Sequence, residues 1–373
     1  MNKHKSLLFI GNTAWSMYNF RRVVLTQLIH LGYSVTVISL EEFVYQKKLQ
    51  DLGCSCISLN MKAKGVNPFY DIKLVMSLRI IFQKTNPDFC FFYTIKPNIY
   101  GSIVAGVMHI PHIAITTGLG YIFLNTNILF LIAKKLYKIA FKRPLEIWFL
   151  NEDDRSHFLR NNLVKENKTF VLKGEGIDLT HFFYSIERDT TVSFILIARI
   201  LWDKGVGEYV EAARGIKKTY PNVRFKLLGF IGVDNPSAIS KEQIELWTNE
   251  GFVEYLGATD NVRPFIENSS CIVLPSYYGE GIPVCLLEGA AMGRPLITTN
   301  SVGCKETVDD GVSGFLCKPR DAKDLALAME KIILMSSKER ITMGMAGRKK
   351  MENEFDVNLI VEQYLRTLNK YLT

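Results

Sequence analysis

The sequence predicts an α/β protein made of two doubly wound domains facing a cleft. Three observations carry this. The chain has 373 residues, the length of two domains of ordinary size. Short apolar runs alternate with stretches of helical period from end to end. The alternation breaks once, across residues 173–190, where Gly174, Gly176 and mixed charge replace any apolar period. We read that break as an interdomain linker. Hydrophobic residues make up 48% of the chain, enough for two cores.

In the first half the strand candidates are residues 7–10, 35–39, 55–58, 89–93, 113–117, 147–150 and 170–172. Residues 16–31, 68–83, 98–109, 126–142 and 152–161 carry helical spacing between them. Strands that alternate with helices pair in parallel. Parallel doubly wound sheets bind ligands beyond the carboxyl ends of their strands. The loops to watch are therefore 11–15, 94–98 and 117–123.

After the break a second series follows at 193–198, 224–228, 252–256, 271–274, 296–299 and 315–317, with helices between and one at 321–335. A final helix, 356–373, is expected to return to the first domain. The domains are then 1–180 and 181–355.

Seven cysteines, at 54, 56, 90, 271, 285, 304 and 317, form no C-x-x-C and have no His at zinc spacing. Several sit within apolar runs and read as buried thiols, which points to a reducing compartment, the cytoplasm. No apolar run is long and uncharged enough to span a bilayer. The basic start, Met1 to Lys5, precedes an apolar run too short for a signal peptide. Net charge is +8, and it is lopsided. Residues 1–180 hold 22 Lys+Arg against 12 Asp+Glu, and residues 181–373 hold 23 against 25. The first half therefore calls for an anionic partner. No nucleic-acid motif accompanies the charge, so nucleic acid is not expected.

Two stretches carry the chemistry. In Leu196-Ile197-Ala198-Arg199-Ile200-Leu201-Trp202-Asp203-Lys204-Gly205-Val206, a buried strand ends beside two cations five residues apart. Arg199 can fork onto two phosphate oxygens and Lys204 can add a point charge. Alone, the pair would read as solvated surface charges. The second stretch begins with the apolar run 271–274 and a breaker-rich loop, Pro275-Ser276-Tyr277-Tyr278-Gly279. A helix is expected to start at Pro283, with Leu286, Leu287, Ala290 and Ala291 as its apolar face. Such a start attracts anions. Glu280 and Glu288 beside it cannot hold phosphate, but they can accept hydrogen bonds from hydroxyls. Phosphate with many hydroxyls describes a nucleotide-sugar.

With these residues in place, 193–335 resembles the second domain of the family 4 retaining glycosyltransferases. The matching parts are Arg199 and Lys204, the E-x7-E motif from Glu280 to Glu288, and Gly303-Cys304-Lys305-Glu306 with Gly311-Val312-Ser313-Gly314-Phe315. Gly176-Ile177-Asp178 also fits the family's linker. The resemblance implies the GT-B architecture of two Rossmann-like domains. It implies that Arg199 and Lys204 hold the donor diphosphate and that Glu288 binds the ribose. It places Glu280 and the backbone of Gly281, Ile282, Pro283 and Val284 at the donor sugar, and Leu256 by the base.

The first domain resembles enzymes that extend undecaprenyl-diphosphate-linked sugars for O-antigen, capsule or N-glycan precursors. The matching residues are Gly11-Asn12-Thr13-Ala14-Trp15-Ser16-Met17-Tyr18-Asn19-Phe20-Arg21, Ile95-Lys96-Pro97-Asn98 and Thr117-Gly118-Leu119-Gly120. Several such enzymes use UDP-N-acetylgalactosamine or UDP-galactose. Gly11 stands alone where many relatives with another acceptor carry a Gly-Gly pair. Gly11, Asn12, Tyr18, Lys96 and Gly118 are the acceptor-side candidates. Lys96 reads equally as a phosphate ligand or a solvated loop lysine, and Arg21 as a site residue or a surface charge. His109 and His112 read as structural. Residues 127–143 are apolar with only basic charges. They fit a core helix with a cationic outer face, or a helix lying on an anionic membrane surface.

No Asp-x-Asp occurs, so no carboxylate pair is available to bridge a metal to a diphosphate. No metal and no cofactor are expected. The expectation is a retaining transferase that moves a hexose or N-acetylhexosamine from a UDP-sugar to a polyprenyl-diphosphate-linked saccharide at the inner face of the membrane. Two alternatives stay open: a non-hydrolysing UDP-sugar 2-epimerase of the same fold, and a nucleotide-sugar-binding module without catalysis. Oligomeric state is not readable.

Overall fold

The computed structural model describes residues 5–61, 68–118, 128–187 and 191–372. The chain divides into two compact units, one of Met1–Gly176 with Val357–Thr373 and one of Ile177–Asp356.

The first unit holds β1 (Ser6–Ile10), β2 (Ser34–Ser39), β3 (Ser55–Ser58), β4 (Phe89–Tyr93), β5 (His112–Thr116), β6 (Glu146–Phe149) and β7 (Thr169–Val171). They form a sheet of order β3-β2-β1-β4-β5-β6-β7. Every pairing is parallel, with Leu7 opposite both Val35 and Phe89. The order reverses between β1 and β4, which makes that the switch point where a doubly wound sheet opens a crevice. Alternate side chains point to opposite faces. On one face Phe9, Phe91, Trp148 and Tyr364 form an aromatic slab, with centroids of 4.9 Å for Phe9–Phe91 and 5.0 Å for Trp148–Tyr364. Tyr364 lies on helix Val357–Tyr371, so the last helix of the chain packs in this unit. On the other face Leu8, Ile10, Cys90, Phe92, Ala114, Ile147 and Phe149 meet helices Pro68–Thr85, Ser102–Val107 and Ile128–Ala140.

The second unit repeats the plan with β8 (Ser193–Ile197), β9 (Arg224–Leu228), β10 (Glu254–Tyr255), β11 (Cys271–Leu274), β12 (Leu296–Thr299) and β13 (Gly314–Cys317). Its order is β10-β9-β8-β11-β12-β13, again parallel, with the reversal between β8 and β11. Ile177 donates its N–H to the Phe355 carbonyl at 2.7 Å, so the two ends of this unit are paired.

Three expectations are adjusted. Residues 98–109 are not one helix: a π turn, Pro97–Gly101, leads into a short α segment, Ser102–Val107. Helices Phe43–Asp51 and Ser337–Lys350 had no clear signal, because each buries too few apolar residues to give a helical stripe. β10 is two residues long rather than five.

Candidate active site

The second unit's site is built where β8 and β11 end side by side. After β8 the chain passes the exposed Arg199 and makes a 3-10 turn, Trp202–Lys204. Gly205 follows in the left-handed region at φ 74°. A Cβ there would lie 2.2 Å from the Pro275 carbonyl oxygen, so only glycine lets this turn close onto the end of β11. Backbone contacts fix the approach. The Tyr277 N–H donates to the Asp203 carbonyl at 3.1 Å, and the Ser276 hydroxyl oxygen lies 3.1 Å from the same carbonyl.

That approach delivers Lys204 to Glu280. Their side chains form an ion pair with 13% and 12% of their surface exposed. Ser276, fully buried, donates to the same Glu280 oxygen at 2.8 Å. The Ser276 carbonyl in turn accepts from the Ser301 hydroxyl at 3.0 Å and from Thr299. Gly303, at φ 81°, lets the downstream loop pass under Glu280, where a Cβ would come 2.5 Å from the Glu280 and Gly281 carbonyl oxygens. Burial, followed by the nearby Glu280 carboxylate, pushes the Tyr278 phenol up. Its ring centroid lies 5.8 Å from Lys204 Nζ.

The helix after this loop is Val284–Ala291. Pro283 is its N-cap residue rather than its first turn, and it accepts the Leu286 N–H at 3.2 Å. No side chain caps this end. The positive end of the helix thus sits beside Glu280, with Gly281, Ile282 and Pro283 buried and Glu288 half-buried one turn in. Leu286, Leu287, Ala290 and Ala291 are buried as their spacing predicts. Burial pushes the neighbouring Cys304 thiol up to about 11, which keeps it uncharged. Leu256 follows β10 at the same sheet edge and is 36% exposed. Its N–H donates to the Leu227 carbonyl at 2.8 Å.

The arrangement offers one exposed guanidinium, one ammonium already matched to a carboxylate, and an uncapped helix start. An incoming diphosphate can take Lys204 from Glu280 and leave the carboxylate to accept from hydroxyls. Ser276 was missed in the sequence, where Pro275-Ser276-Tyr277-Tyr278 reads only as a loop. Its contact with Asp203 spans 73 positions, and its contact with Glu280 spans 4 within a loop that has no regular period to reveal it.

In the first unit Gly11, Asn12, Lys96 and Gly118 follow the ends of β1, β4 and β5, and Tyr18 lies on the first helix, Ala14–His30. Gly11 is buried and donates to the Ile38 carbonyl at 3.0 Å, and a Cβ there would lie 2.6 Å from Met17 Sδ. The Thr94 hydroxyl, at the end of β4, donates to Asn12 Oδ1 at 2.8 Å. This contact joins the two strands at the switch point. Tyr18 is half-buried, with Lys48 Nζ 5.4 Å from its ring. Lys96 is neither solvated nor isolated. It pairs with Asp71 at 3.0 Å, and the two side chains are 13% and 9% exposed. Gly118 has φ 124°, and Leu119 and Gly120 lie outside the described residues.

Arg21 is not a surface charge. It is 3% exposed, pairs with Glu175 and lies 3.9 Å over the Tyr93 ring. His112 is structural, as expected. It donates from Nδ1 to the Ile110 carbonyl at 2.8 Å, and burial lowers its pKa to about 4.

Comparison with known proteins shows the family and the fold. The family described as "Glycosyl transferases group 1" matches residues 180–350, and "Glycosyl transferase 4-like" matches residues 6–151. The N,N'-diacetylbacillosaminyl-diphospho-undecaprenol alpha-1,3-N-acetylgalactosaminyltransferase of Campylobacter jejuni is 32% identical, with 98% of each chain covered. The capsular polysaccharide biosynthesis glycosyltransferase CapM of Staphylococcus aureus is 28% identical, with 82% of each covered. Among solved structures, a glycosyltransferase from Rickettsia africae superposes with a TM-score of 0.82 at 20% identity, covering 100% of both chains. Anabaena HepE in complex with UDP-glucose gives 0.82 at 16% identity, covering 98% of this chain and 100% of that one. At these identities the structures speak for the fold, which is GT-B. The sequence matches decide the enzyme class, hexosyl transfer rather than epimerisation or binding alone. Matched in both halves, and related at 32% identity over nearly its full length, the chain belongs to the group 1 glycosyl transferases, the family 4 retaining enzymes.

Proposed function

We propose that this enzyme moves N-acetylgalactosamine or galactose from a UDP-sugar to a polyprenyl-diphosphate-linked saccharide, with retention at the anomeric carbon. The acceptor class and the favoured sugar rest on the name of the Campylobacter jejuni relative. The observation that carries the site is the Lys204–Glu280 pair, held by Ser276 beside the uncapped helix start. Arg199 and Lys204 neutralise the diphosphate, and the helix start adds its positive end. This charge faces the UDP oxygen on which negative charge develops as the glycosidic bond breaks. Glu280 orients the sugar, Glu288 binds the ribose, and Leu256 lies by the base. The acceptor hydroxyl attacks from the face that UDP leaves, so no enzymatic nucleophile is needed.

The acceptor side is proposed on the first unit, at Gly11, Asn12, Tyr18, Lys96 and Gly118. Its excess positive charge suits a lipid diphosphate on an anionic membrane surface, at the inner face of the membrane. The deciding experiment incubates a panel of UDP-sugars with undecaprenyl-diphosphate-linked saccharides, then reads product mass and anomeric configuration. Transfer of an N-acetylhexosamine or hexose with α-linkage from a UDP-α-sugar supports the reading. Inversion, or transfer only to free sugars, would overturn it.

A further inference from the structure

We propose that the outer face of the helix layer Pro68–Thr85, Ser102–Val107 and Ile128–Ala140 docks the first unit on an anionic lipid bilayer, with Ile72, Met76 and Ile80 entering the headgroup region. This deepens the reading that the enzyme meets its acceptor at a membrane, and it rests on that reading.

Helix Pro68–Thr85 has two apolar faces. Leu74, Leu78 and Phe82, four residues apart, are at most 5% exposed and fill the core. Ile72, Met76 and Ile80, also four residues apart, lie on the opposite side at 59%, 60% and 50% exposed. Residues at this spacing share one face of a helix. A helix on the surface of a soluble domain ordinarily turns a polar face outward. Phe69, one turn before Ile72, is 82% exposed and extends the stripe.

The stripe continues onto the neighbouring helices. Ser102–Val107 touches both of the others, and its last residue, Val107, is 62% exposed. Ile128–Ala140 adds Leu131 at 51% and Ile139 at 57%.

The charges choose the partner. These three helices carry Lys73, Arg79, Lys84, Lys134, Lys135 and Lys138, and one acid, Asp71. Asp71 is buried and spent on Lys96. Apolar side chains flanked only by cations suit a layer of anionic headgroups over acyl chains. No described helix is long and apolar enough to cross a membrane, so the contact proposed lies along the surface.

The test is flotation of the full chain with vesicles of phosphatidylglycerol and phosphatidylcholine, or of phosphatidylcholine alone. The wild type is expected to float with the anionic vesicles and to be released by salt. Ile72→Glu with Met76→Glu should weaken that binding at least tenfold, with UDP affinity and the thermal midpoint unchanged. Lys135→Gln with Lys138→Gln should weaken it to a smaller degree. If the double Glu variant fails to fold, Met76→Trp replaces it: brominated lipid should quench the fluorescence that this substitution adds. Full flotation of the double Glu variant, or added fluorescence that brominated lipid leaves unquenched, would place the membrane contact elsewhere and overturn the inference while leaving the membrane reading intact. A wild type that floats with no vesicle would remove both. Light scattering covers the remaining occupant. A wild-type dimer split by Ile72→Glu would assign the stripe to a second copy and overturn the inference.

Discussion

At the scale of the residue, the site turns on one carboxylate held from two sides. Glu280 is gripped by Lys204 and by the Ser276 hydroxyl. Replacing Glu280 by Ala should lower kcat by about 10²-fold or more, the usual loss for a group aimed at the reacting centre. UDP affinity should largely survive. Arg199→Ala should do the reverse and weaken UDP itself. Calorimetry with UDP beside steady-state kinetics separates the two, and equal activity in both variants would sink the site assignment. Ser276 is a positioning residue, since it acts through Glu280. Ser276→Ala should lower kcat about tenfold, equivalent to roughly 1.4 kcal/mol, with the donor KM little changed. A matched rise in KM with kcat preserved would instead mean that Ser276 only shapes the donor pocket.

At the scale of the element, the site depends on how closely two loops approach. Gly205 brings the Lys204 turn against Pro275. Gly205→Ala would strain a left-handed residue and push a methyl group into a carbonyl. We expect a loss of at least ~1 kcal/mol of stability together with weakened UDP binding. A fully stable variant with normal UDP affinity would show that the turn can reseat without Gly205. In the first unit, β5 carries the buried His112. Burial, aided by Lys168, holds its folded pKa at about 4, below the ordinary 6.5. Below pH 6.5 the unfolded chain takes up a proton that the folded chain refuses. Stability is therefore intact above pH 6.5 and falls as the pH drops towards 4, by roughly 3 kcal/mol at most. Denaturant midpoints measured across pH 4–7 should fall less steeply for His112→Gln than for the wild type.

At the scale of the whole molecule, the chain leaves the first unit at Gly176 and returns at Val357. Both crossing points are fastened within their own unit. Arg21 on the first helix pairs with Glu175, one residue before the exit. Tyr364 on the returning helix meets the Tyr93 hydroxyl at 2.5 Å. Arg21→Met would leave the Glu175 carboxylate buried without its cation, a loss of roughly 3–5 kcal/mol. Removing both charges, with Arg21→Met and Glu175→Leu, should recover much of it. Urea unfolding of the single and double variants measures the difference. A double variant as unstable as Arg21→Met alone would mean that packing over Tyr93, rather than the ion pair, sets the cost.

The sequence by itself determined the strands of both sheets, the two-unit α/β plan and the residues of the proposed donor motif. These are written in local patterns. Apolar runs such as Phe89–Tyr93 and Cys271–Leu274 fall where they were read, because a strand buried on both faces must be apolar throughout. Arg199, Lys204, Glu280 and Glu288 were legible because each sits at a fixed offset from a strand end. Only the tertiary structure decided which of these residues meet. The Lys204–Glu280 contact spans 76 positions, and Arg21–Glu175 spans 154. It also decided that Lys96 pairs with Asp71, that Ser276 holds the Glu280 carboxylate, and that a second apolar stripe on Pro68–Thr85 faces outward. Pairing across the fold depends on where the sheet brings distant strand ends together. Periodicity cannot report it, because a helix that is apolar on two faces does not say which one the core will take.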